Sequence, residues 1–222
     1  MMNRKILKYT FSLILLLMAT QLNAQFLKQL NWQGVMVGVD AHRFADYVLK
    51  PERTAYSGAL LFNLGEDYFV VLEPGYSSID LKQESYTYKS KGEYLELGFD
   101  KNMLNQNKRD FFGIGLRLGY SNYRHHAENI SFSDPYWGEY TTSIEAIREN
   151  ALWVDVVLGI RSEIVDNLYF GWSARLKIFA TGERGNNLIP YDIPGFGKGA
   201  ENINMAATYT IYYRFDWGKS KL

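Results

Sequence analysis

The sequence contains no cysteine, and this absence removes several classes of site. Without cysteine there are no disulfides, no thiolate metal ligands and no lipid anchor attached to an N-terminal cysteine. Proline is also scarce, with 5 residues in 222, whereas glycine reaches 19 and aromatic residues make up 16 %. Because aromatic residues suit a pleated surface and glycine weakens helices, the composition favours β-structure.

Neither sign of charge dominates, since 24 Lys and Arg residues balance 24 Asp and Glu residues. Three of the basic residues, Arg4, Lys5 and Lys8, lie in a segment that we expect to be removed. The remaining chain then carries 24 − 3 = 21 basic and 24 acidic residues, a net charge of −3. Such a surface has no electrostatic footprint for nucleic acid, and no nucleic-acid partner is predicted.

The chain begins with a basic stretch, followed by the apolar run 11–19 and a polar end that closes on Ala24. The run is far shorter than the ~20 residues of a membrane-spanning helix and is typical of an export signal. We therefore predict a cleaved signal peptide at 1–24 and one domain at 25–222; an uncleaved anchor is the alternative. Downstream, no stretch approaches ~18 consecutive apolar residues, so no transmembrane helix is predicted.

Apolar residues alternate with polar or small ones in eight segments after residue 24. The clearest is the last, in which the odd positions from Ile203 to Trp217 are apolar and nearly all the even positions are polar or small. A period of two predicts strands with two different faces. The predicted strands lie around residues 35–42, 56–64, 68–75, 95–100, 112–121, 152–161, 168–178 and 203–217.

The same alternation also fits a soluble barrel with an oily interior, so the content of the second face matters. That face holds Gly, Ser, Ala and single charges of both signs, which suits a crowded lumen rather than a water-facing surface. The apolar face carries aromatic residues near the strand ends, which suits lipid. We therefore predict an all-β, eight-stranded antiparallel up-and-down transmembrane barrel in the outer membrane, in contact with outer-membrane lipid.

The connections are expected to alternate between long outer loops and short inner turns, because both ends of such a barrel face the periplasm. The intermediate connection at 101–109 is the exception. The predicted long loops are 45–53, 80–91, 124–150 and 181–201, and the predicted short turns are 65–67 and 165–167.

The second face places many charges inside the predicted barrel, whose interior is just wide enough for side chains. Burial of these charges is tolerable only if they pair, so we predict a salt-bridge network that plugs the lumen and is structural. No cofactor or metal is predicted. The predicted network comprises Asp40, Glu73, Glu96, Asp100, Arg117, Asp155, Arg161, Glu163, Arg175, Lys177, Arg214 and Asp216.

One cluster in the predicted loop 124–150 invites a catalytic interpretation. His125, His126 and Glu128, with Ser131 or Ser133, contain the residue types of a lipid hydrolase at the membrane edge. Two adjacent histidines in a polar loop are more often solvated surface, and neither serine lies in a nucleophile-elbow context. The favoured prediction is therefore no catalytic residue, with a lipid-modifying enzyme as the alternative.

Two further loop tips, 134–140 and 190–198, are rich in aromatic and turn residues. Exposed aromatic side chains at such tips can bind a surface glycan or another envelope protein. They can also pack on one another and cap the barrel mouth, which is the favoured interpretation. The candidate contact residues are Tyr136, Trp137, Tyr191 and Phe196.

The segments 134–138, 170–175 and 193–198 resemble a family of outer-membrane β-barrel proteins of unknown function from Gram-negative anaerobes. The resemblance covers nearly all of 26–216 and implies the barrel and its location, with the barrel assembly machinery as a partner, but no activity. The size is also similar to that of plugged OmpA/OmpX-type barrels. The leading hypothesis is a non-enzymatic barrel with binding loops, and a narrow pore is a further alternative.

Overall fold

The computed structural model describes residues 34–41, 52–65, 67–104, 109–134, 136, 138–182 and 188–216. All of these residues belong to one compact unit, 33–222. The predicted signal peptide lies outside the described residues. In the described part of the chain, no helix is long and apolar enough to cross a bilayer.

Eight long strands form one closed antiparallel sheet in the order β1-β10-β7-β6-β5-β4-β3-β2. Two short strands, β8 and β9, form a separate small hairpin between β7 and β10. The predicted eight-stranded, antiparallel, up-and-down barrel is therefore confirmed. The strands are β1 Gly34–Asp40, β2 Arg53–Asn63, β3 Tyr68–Lys82, β4 Thr87–Asn102, β5 Phe111–Asp134, β6 Gly138–Val165, β7 Leu168–Gly182, β8 Asp192–Ile193, β9 Gly197–Lys198 and β10 Ile203–Asp216.

The stagger of the sheet follows from the cross-strand partners around the barrel. A path that starts at Phe215 on β10 returns to the same strand at Met205, a displacement of 215 − 205 = 10 residues. This stagger tilts the strands by about 40° from the barrel axis, within the usual range for closed barrels. The path runs through Phe215, Val35, Phe62, Val70, Phe99, Leu116, Val156, Leu176 and Met205.

The two faces of the sheet differ as the alternation predicts. Leu116 is 57 % exposed on the outside, whereas its neighbour Arg117 is 3 % exposed and points into the lumen. An oily core with its charges in water would give the opposite result, so the inward prediction for the charged face is confirmed. We call the exposed outer residues the apolar belt: Val37, Val39, Leu95, Leu97, Phe99, Phe112, Ile114, Leu116, Leu118, Tyr120, Val156, Leu158, Ile160, Phe170, Ile178, Ile203, Met205, Tyr209, Ile211, Tyr213 and Phe215.

The lumen contains an apolar cluster near each end. One surrounds Tyr169 and Tyr212, and the other surrounds Tyr94 and Trp153. Gly119 on the adjacent strand β5 makes room for the Trp153 ring, because a Cβ added at Gly119 would lie 2.1 Å from that ring. The group of paired charges in the middle of the lumen, which is described in the next subsection, lies between the two clusters.

Two of the predicted long loops are instead strand. β3 and β4 remain paired as far as Lys82 and Thr87, so the predicted loop 80–91 shrinks to 83–86. β5 and β6 likewise pair through most of 124–150. Both predictions were wrong because these strands continue beyond the apolar belt, where the outward face becomes polar and the alternation of apolar and polar residues is lost. The short turn at 165–167 is confirmed, with Asn167 at a φ of 66°.

Candidate functional site

Four carboxylates and four cations meet between the two apolar clusters, and we call this set the charged layer. Arg175 lies at its centre, with Nη2 2.7 Å from Glu73 Oε1 and Nη1 2.7 Å from Glu96 Oε2. The layer thereby joins β3, β4 and β7. Its members are Glu73, Glu96, Asp100, Asp155, Arg117, Arg161, Arg175 and Lys177.

Lys177 connects the charged layer to the segment that contains β8 and β9. Its Nζ lies 2.5 Å from Glu96 Oε1 and 3.0 Å from Asp155 Oδ2. It also donates a hydrogen bond of 2.8 Å to the carbonyl oxygen of Gly195, in the turn between β8 and β9. The same ammonium group therefore neutralises buried carboxylates and holds an inserted turn.

Asp100 closes the other side of the charged layer. Its two carboxylate oxygens lie 2.7 Å from Arg117 Nη2 and 3.4 Å from Arg161 Nη2. The Arg161 guanidinium also lies over the Phe111 ring, 3.7 Å from its centroid. Because four cations match four carboxylates, the layer is neutral, which is the condition under which buried charges are tolerated.

The remaining predicted lumen charges whose side chains are described have other partners. Asp40 accepts a hydrogen bond of 3.1 Å from Ser57 Oγ on the adjacent strand. Glu163 and Arg214 lie near the opposite end of the barrel. There, Glu163 accepts from the Asn167 N–H, Arg214 donates to Tyr169 Oη, and the side chain of Asp216 lies outside the described residues.

The segment 190–198 folds into the barrel mouth. Arg53 Nη2 lies 2.6 Å from Asp192 Oδ1, and the Tyr191 N–H donates to Tyr88 Oη. Phe196 is only 2 % exposed and packs on Trp153, with 5.9 Å between ring centroids. The alternative that Phe196 is an exposed loop contact is therefore wrong, because its ring completes the second apolar cluster in the mouth, in line with the favoured interpretation that this segment caps the barrel.

A cavity of about 400 Å³ remains beside the charged layer. Its wall includes Asp40, Arg53 and Thr208, together with Arg175 of the charged layer. The described side chains therefore fill the lumen only partly, and the cavity lies on the side of β1, β2 and β10.

The second candidate region is the projecting hairpin, which we define as Asn122–Asp134 of β5 and Gly138–Asn150 of β6. It begins beyond Tyr120, the last belt residue on β5, and each arm contains about 40 Å of extended chain at ~3.3 Å per residue. β4 pairs with β5 only as far as Glu128. Beyond that residue, within the described part of the chain, the hairpin is a two-stranded ribbon.

The root of the hairpin contains a buried polar cluster. His125 Nε2 lies 3.1 Å from Glu149 Oε2, and Tyr123 Oη donates a hydrogen bond of 3.0 Å to the same oxygen. Burial lowers the pKa of His125, and the neighbouring Glu149 opposes this shift. The expectation of a solvated His125 was therefore wrong. Tyr123 and Glu149 were missed, although each continues the inward phase of its strand from Ser121 and Ala151.

Among the side chains that the structure describes, the predicted hydrolase residues do not form a catalytic set. His126 Nε2 contacts Glu128 Oε1 at 3.0 Å, and Glu128 in turn pairs with Lys89 at 2.9 Å. The hydrogen bond from Lys89 lowers the pKa of Glu128. Ser131 Oγ donates to the carbonyl oxygen of Ser85 rather than to a histidine, and the side chain of Ser133 lies outside the described residues.

The tip of the hairpin, Ile130–Asp134 and Gly138–Thr142, exposes aromatic side chains. Phe132 and Tyr140 are direct cross-strand partners and are 58 % and 65 % exposed. Of the other candidate contacts, Tyr136 and Tyr191 are exposed, and Trp137 lies outside the described residues.

Fold and site together define a closed eight-stranded β-barrel with an apolar exterior and a neutral charged lumen. The family model of a domain of unknown function, DUF6048, matches residues 4–217, and the chain belongs to this family. No curated protein matches the chain.

Solved outer-membrane proteins are similar to the chain at low sequence identity. A major outer membrane protein of Thermus thermophilus is 12 % identical, covering 83 % of this chain and 98 % of that one, with a TM-score of 0.46. Acinetobacter baumannii CarO is 13 % identical, with coverages of 85 % and 99 % and a TM-score of 0.37. The N-terminal β-barrel domain of Pseudomonas aeruginosa OprF is 10 % identical, with coverages of 83 % and 98 % and a TM-score of 0.33.

Proposed function

We propose that this chain is an integral outer-membrane barrel without enzymatic activity, whose projecting hairpin makes contacts at the cell surface. The apolar belt is the observation that carries the proposal, since six of the eight strands of the closed barrel, β1, β4, β5, β6, β7 and β10, expose Leu, Ile, Val or Phe side chains. Soluble monomers rarely expose contiguous apolar patches larger than a few hundred Å². The hydrocarbon interior of a bilayer suits such a surface. We also propose that the barrel assembly machinery inserts the protein into the outer membrane.

The lumen supports a structural rather than a conducting role. The charged layer joins strands on different sides of the barrel, and Lys177 fixes the β8–β9 turn in the mouth above it. A narrow pore would need an aqueous path past both of these features. The cavity of about 400 Å³ extends beside them, and we propose that it does not continue through the barrel as a conducting path.

A pair of substitutions tests the membrane location. Leu116→Arg places a charge at the middle of the apolar belt, whereas Asn122→Arg, six residues further along the same outer face of β5, lies beyond it. An arginine facing lipid near the bilayer midplane costs about 2–4 kcal/mol, and one near the interface costs about 0–1 kcal/mol. We expect only Leu116→Arg to lower the amount of outer-membrane protein that shows heat-modifiable gel mobility. Wild-type protein in the soluble periplasm, or equal tolerance of both arginines, would contradict the proposal.

A lipid analysis tests the absence of enzymatic activity. We expect cells that carry His125→Ala with His126→Ala to show the same lipid A and phospholipid profile as wild-type cells by mass spectrometry, because the hydrogen bonds described for the two histidines are to Glu149 and Glu128 and not to a serine. The control is the amount of folded barrel in the outer membrane, which must be similar in both strains. A specific lipid product that disappears with the histidines would establish the hydrolase alternative.

A further inference from the structure

We infer that the tip of the projecting hairpin binds uncharged carbohydrate chains through a platform made of Phe132 and Tyr140. The inference rests on the proposed function, because it requires the hairpin to lie outside the membrane. It goes further by naming the chemical class of the partner. Three properties of the tip support it: its exposed rings, its charge and its size.

The rings lie side by side on one face of the ribbon. Phe132 and Tyr140 are opposite each other in the β5–β6 ladder, and each exposes more than half of its surface. Directly opposite residues of a ladder have Cβ atoms ~5 Å apart, so the two rings form a continuous apolar platform. Thr142, two residues from Tyr140 on the same strand, supplies a hydroxyl group next to that platform. Flat apolar rings with polar groups at their margin suit the C–H faces and hydroxyl groups of a sugar.

The charge of the tip excludes anionic partners. Between residues 129 and 147 the sequence contains Asp134, Glu139 and Glu145 but no Lys, Arg or His. Proteins bind phosphate groups, acidic polysaccharides, nucleic acids and anionic lipid headgroups through Lys and Arg, whereas this segment itself supplies only acidic side chains. An uncharged chain avoids repulsion by these side chains.

The size of the tip disfavours a folded protein as the partner. Beyond the pairing with β4, the tip consists of two five-residue arms, Ile130–Asp134 and Gly138–Thr142, with Ser131 hydrogen-bonded to the carbonyl oxygen of Ser85 in the neighbouring turn. A stable protein interface uses about 20–30 residues on each side. A platform of two rings is instead large enough for a few sugar units of a linear glycan to stack on it.

The root of the hairpin holds the platform in place. Ladder pairing with β4 continues as far as Glu128, which also forms the salt bridge with Lys89. Asn129, at a φ of 54°, lies within a β-bulge that redirects the ribbon immediately before the tip. Asparagine tolerates this left-handed conformation, so the bend is an ordered feature of the strand. A pre-ordered platform loses less conformational entropy when it binds.

The test uses the full barrel, purified in a zwitterionic detergent that carries no sugar headgroup. Immobilised probes are dextran, mannan and a chitin hexasaccharide as neutral glycans, and polygalacturonate as an acidic glycan. We expect wild-type protein to bind at least one neutral probe, with little dependence on salt, and not to bind polygalacturonate. Phe132→Ala with Tyr140→Ala should weaken that binding by about tenfold or more, since each stacked ring contributes on the order of 1 kcal/mol.

A matched control lies on the opposite face of the same ribbon. Ser131 and Thr141 are also direct cross-strand partners, and Ser131→Ala with Thr141→Ala should change the binding less than about twofold. No binding to any neutral probe, binding that the aromatic variant retains, or preferential binding to polygalacturonate would overturn the inference. Heat-modifiable mobility of the same preparations separates these outcomes from failure of the proposed function, because a folded outer-membrane barrel that binds no neutral glycan contradicts only the carbohydrate inference.

Discussion

The barrel body and the projecting hairpin use similar residue types in opposite ways. In the body, the aromatic rings of Tyr94 and Trp153 are buried in the lumen, and buried charges pair with one another. At the hairpin tip, Phe132 and Tyr140 face solvent, and the segment 129–147 contains acidic residues but no basic ones. The difference shows that the body can be understood from the requirements of folding alone, whereas the tip has surface features that folding does not require.

The largest expected effect concerns the charges of the body. Arg175→Ala would leave Glu73 and Glu96 buried without their shared partner, and breaking a buried ion pair in this way costs about 3–5 kcal/mol. We expect the free energy of unfolding of the barrel, measured by urea titration in lipid vesicles, to fall by that amount.

The control for Arg175→Ala is a substitution in the hairpin. Arg148 lies on its exposed outer face, and Arg148→Ala should change the free energy of unfolding by about 0.5 kcal/mol or less. Equal effects of the two substitutions would show that the charged layer does not stabilise the barrel, and the contrast between body and hairpin would be lost.

The structure of the barrel body could be predicted from the sequence, whereas that of the hairpin could not. In the body, each strand has an apolar and a polar face, so the facing of Leu116 and Arg117 could be predicted from local alternation alone. In the hairpin the outward face is polar, and the inward face of the root mixes polar and aromatic residues such as Tyr123 and His125, so the alternation is lost and 124–150 resembles a loop. The contacts of Phe196 with Trp153 and Phe179 could not be predicted, because both partners are distant in sequence.

A smaller effect on stability is expected at the root of the hairpin, where a fall in pH should destabilise only the surrounding part of the sheet. Burial lowers the pKa of His125 below its ordinary value of about 6.5. The unfolded chain then binds a proton below about pH 6.5 before folded His125 does, so stability is fully present above that pH and falls below it, by at most ~1.4 kcal/mol per pH unit. Glu149, Tyr123 and Tyr88 surround the ring.

Hydrogen exchange of the hairpin amides, corrected for intrinsic rates, measures this effect. Protection of 122–128 and 144–150 should fall between pH 7 and pH 5.5, while protection of the body strands stays constant. His125→Gln should remove the pH dependence, because glutamine does not titrate. A uniform loss of protection across the barrel, or none in the hairpin, would contradict the assignment.

The central claim is that the apolar belt faces hydrocarbon while the hairpin faces water, and spin labels measure it most directly. The chain has no cysteine, so single cysteines at Leu116, Asn122 and Phe132 can each carry a nitroxide without background labelling. In vesicles, the label at 116 should be more accessible to oxygen than to a water-soluble nickel complex, and the labels at 122 and 132 should show the reverse. Greater accessibility of position 116 to the nickel complex would contradict the account.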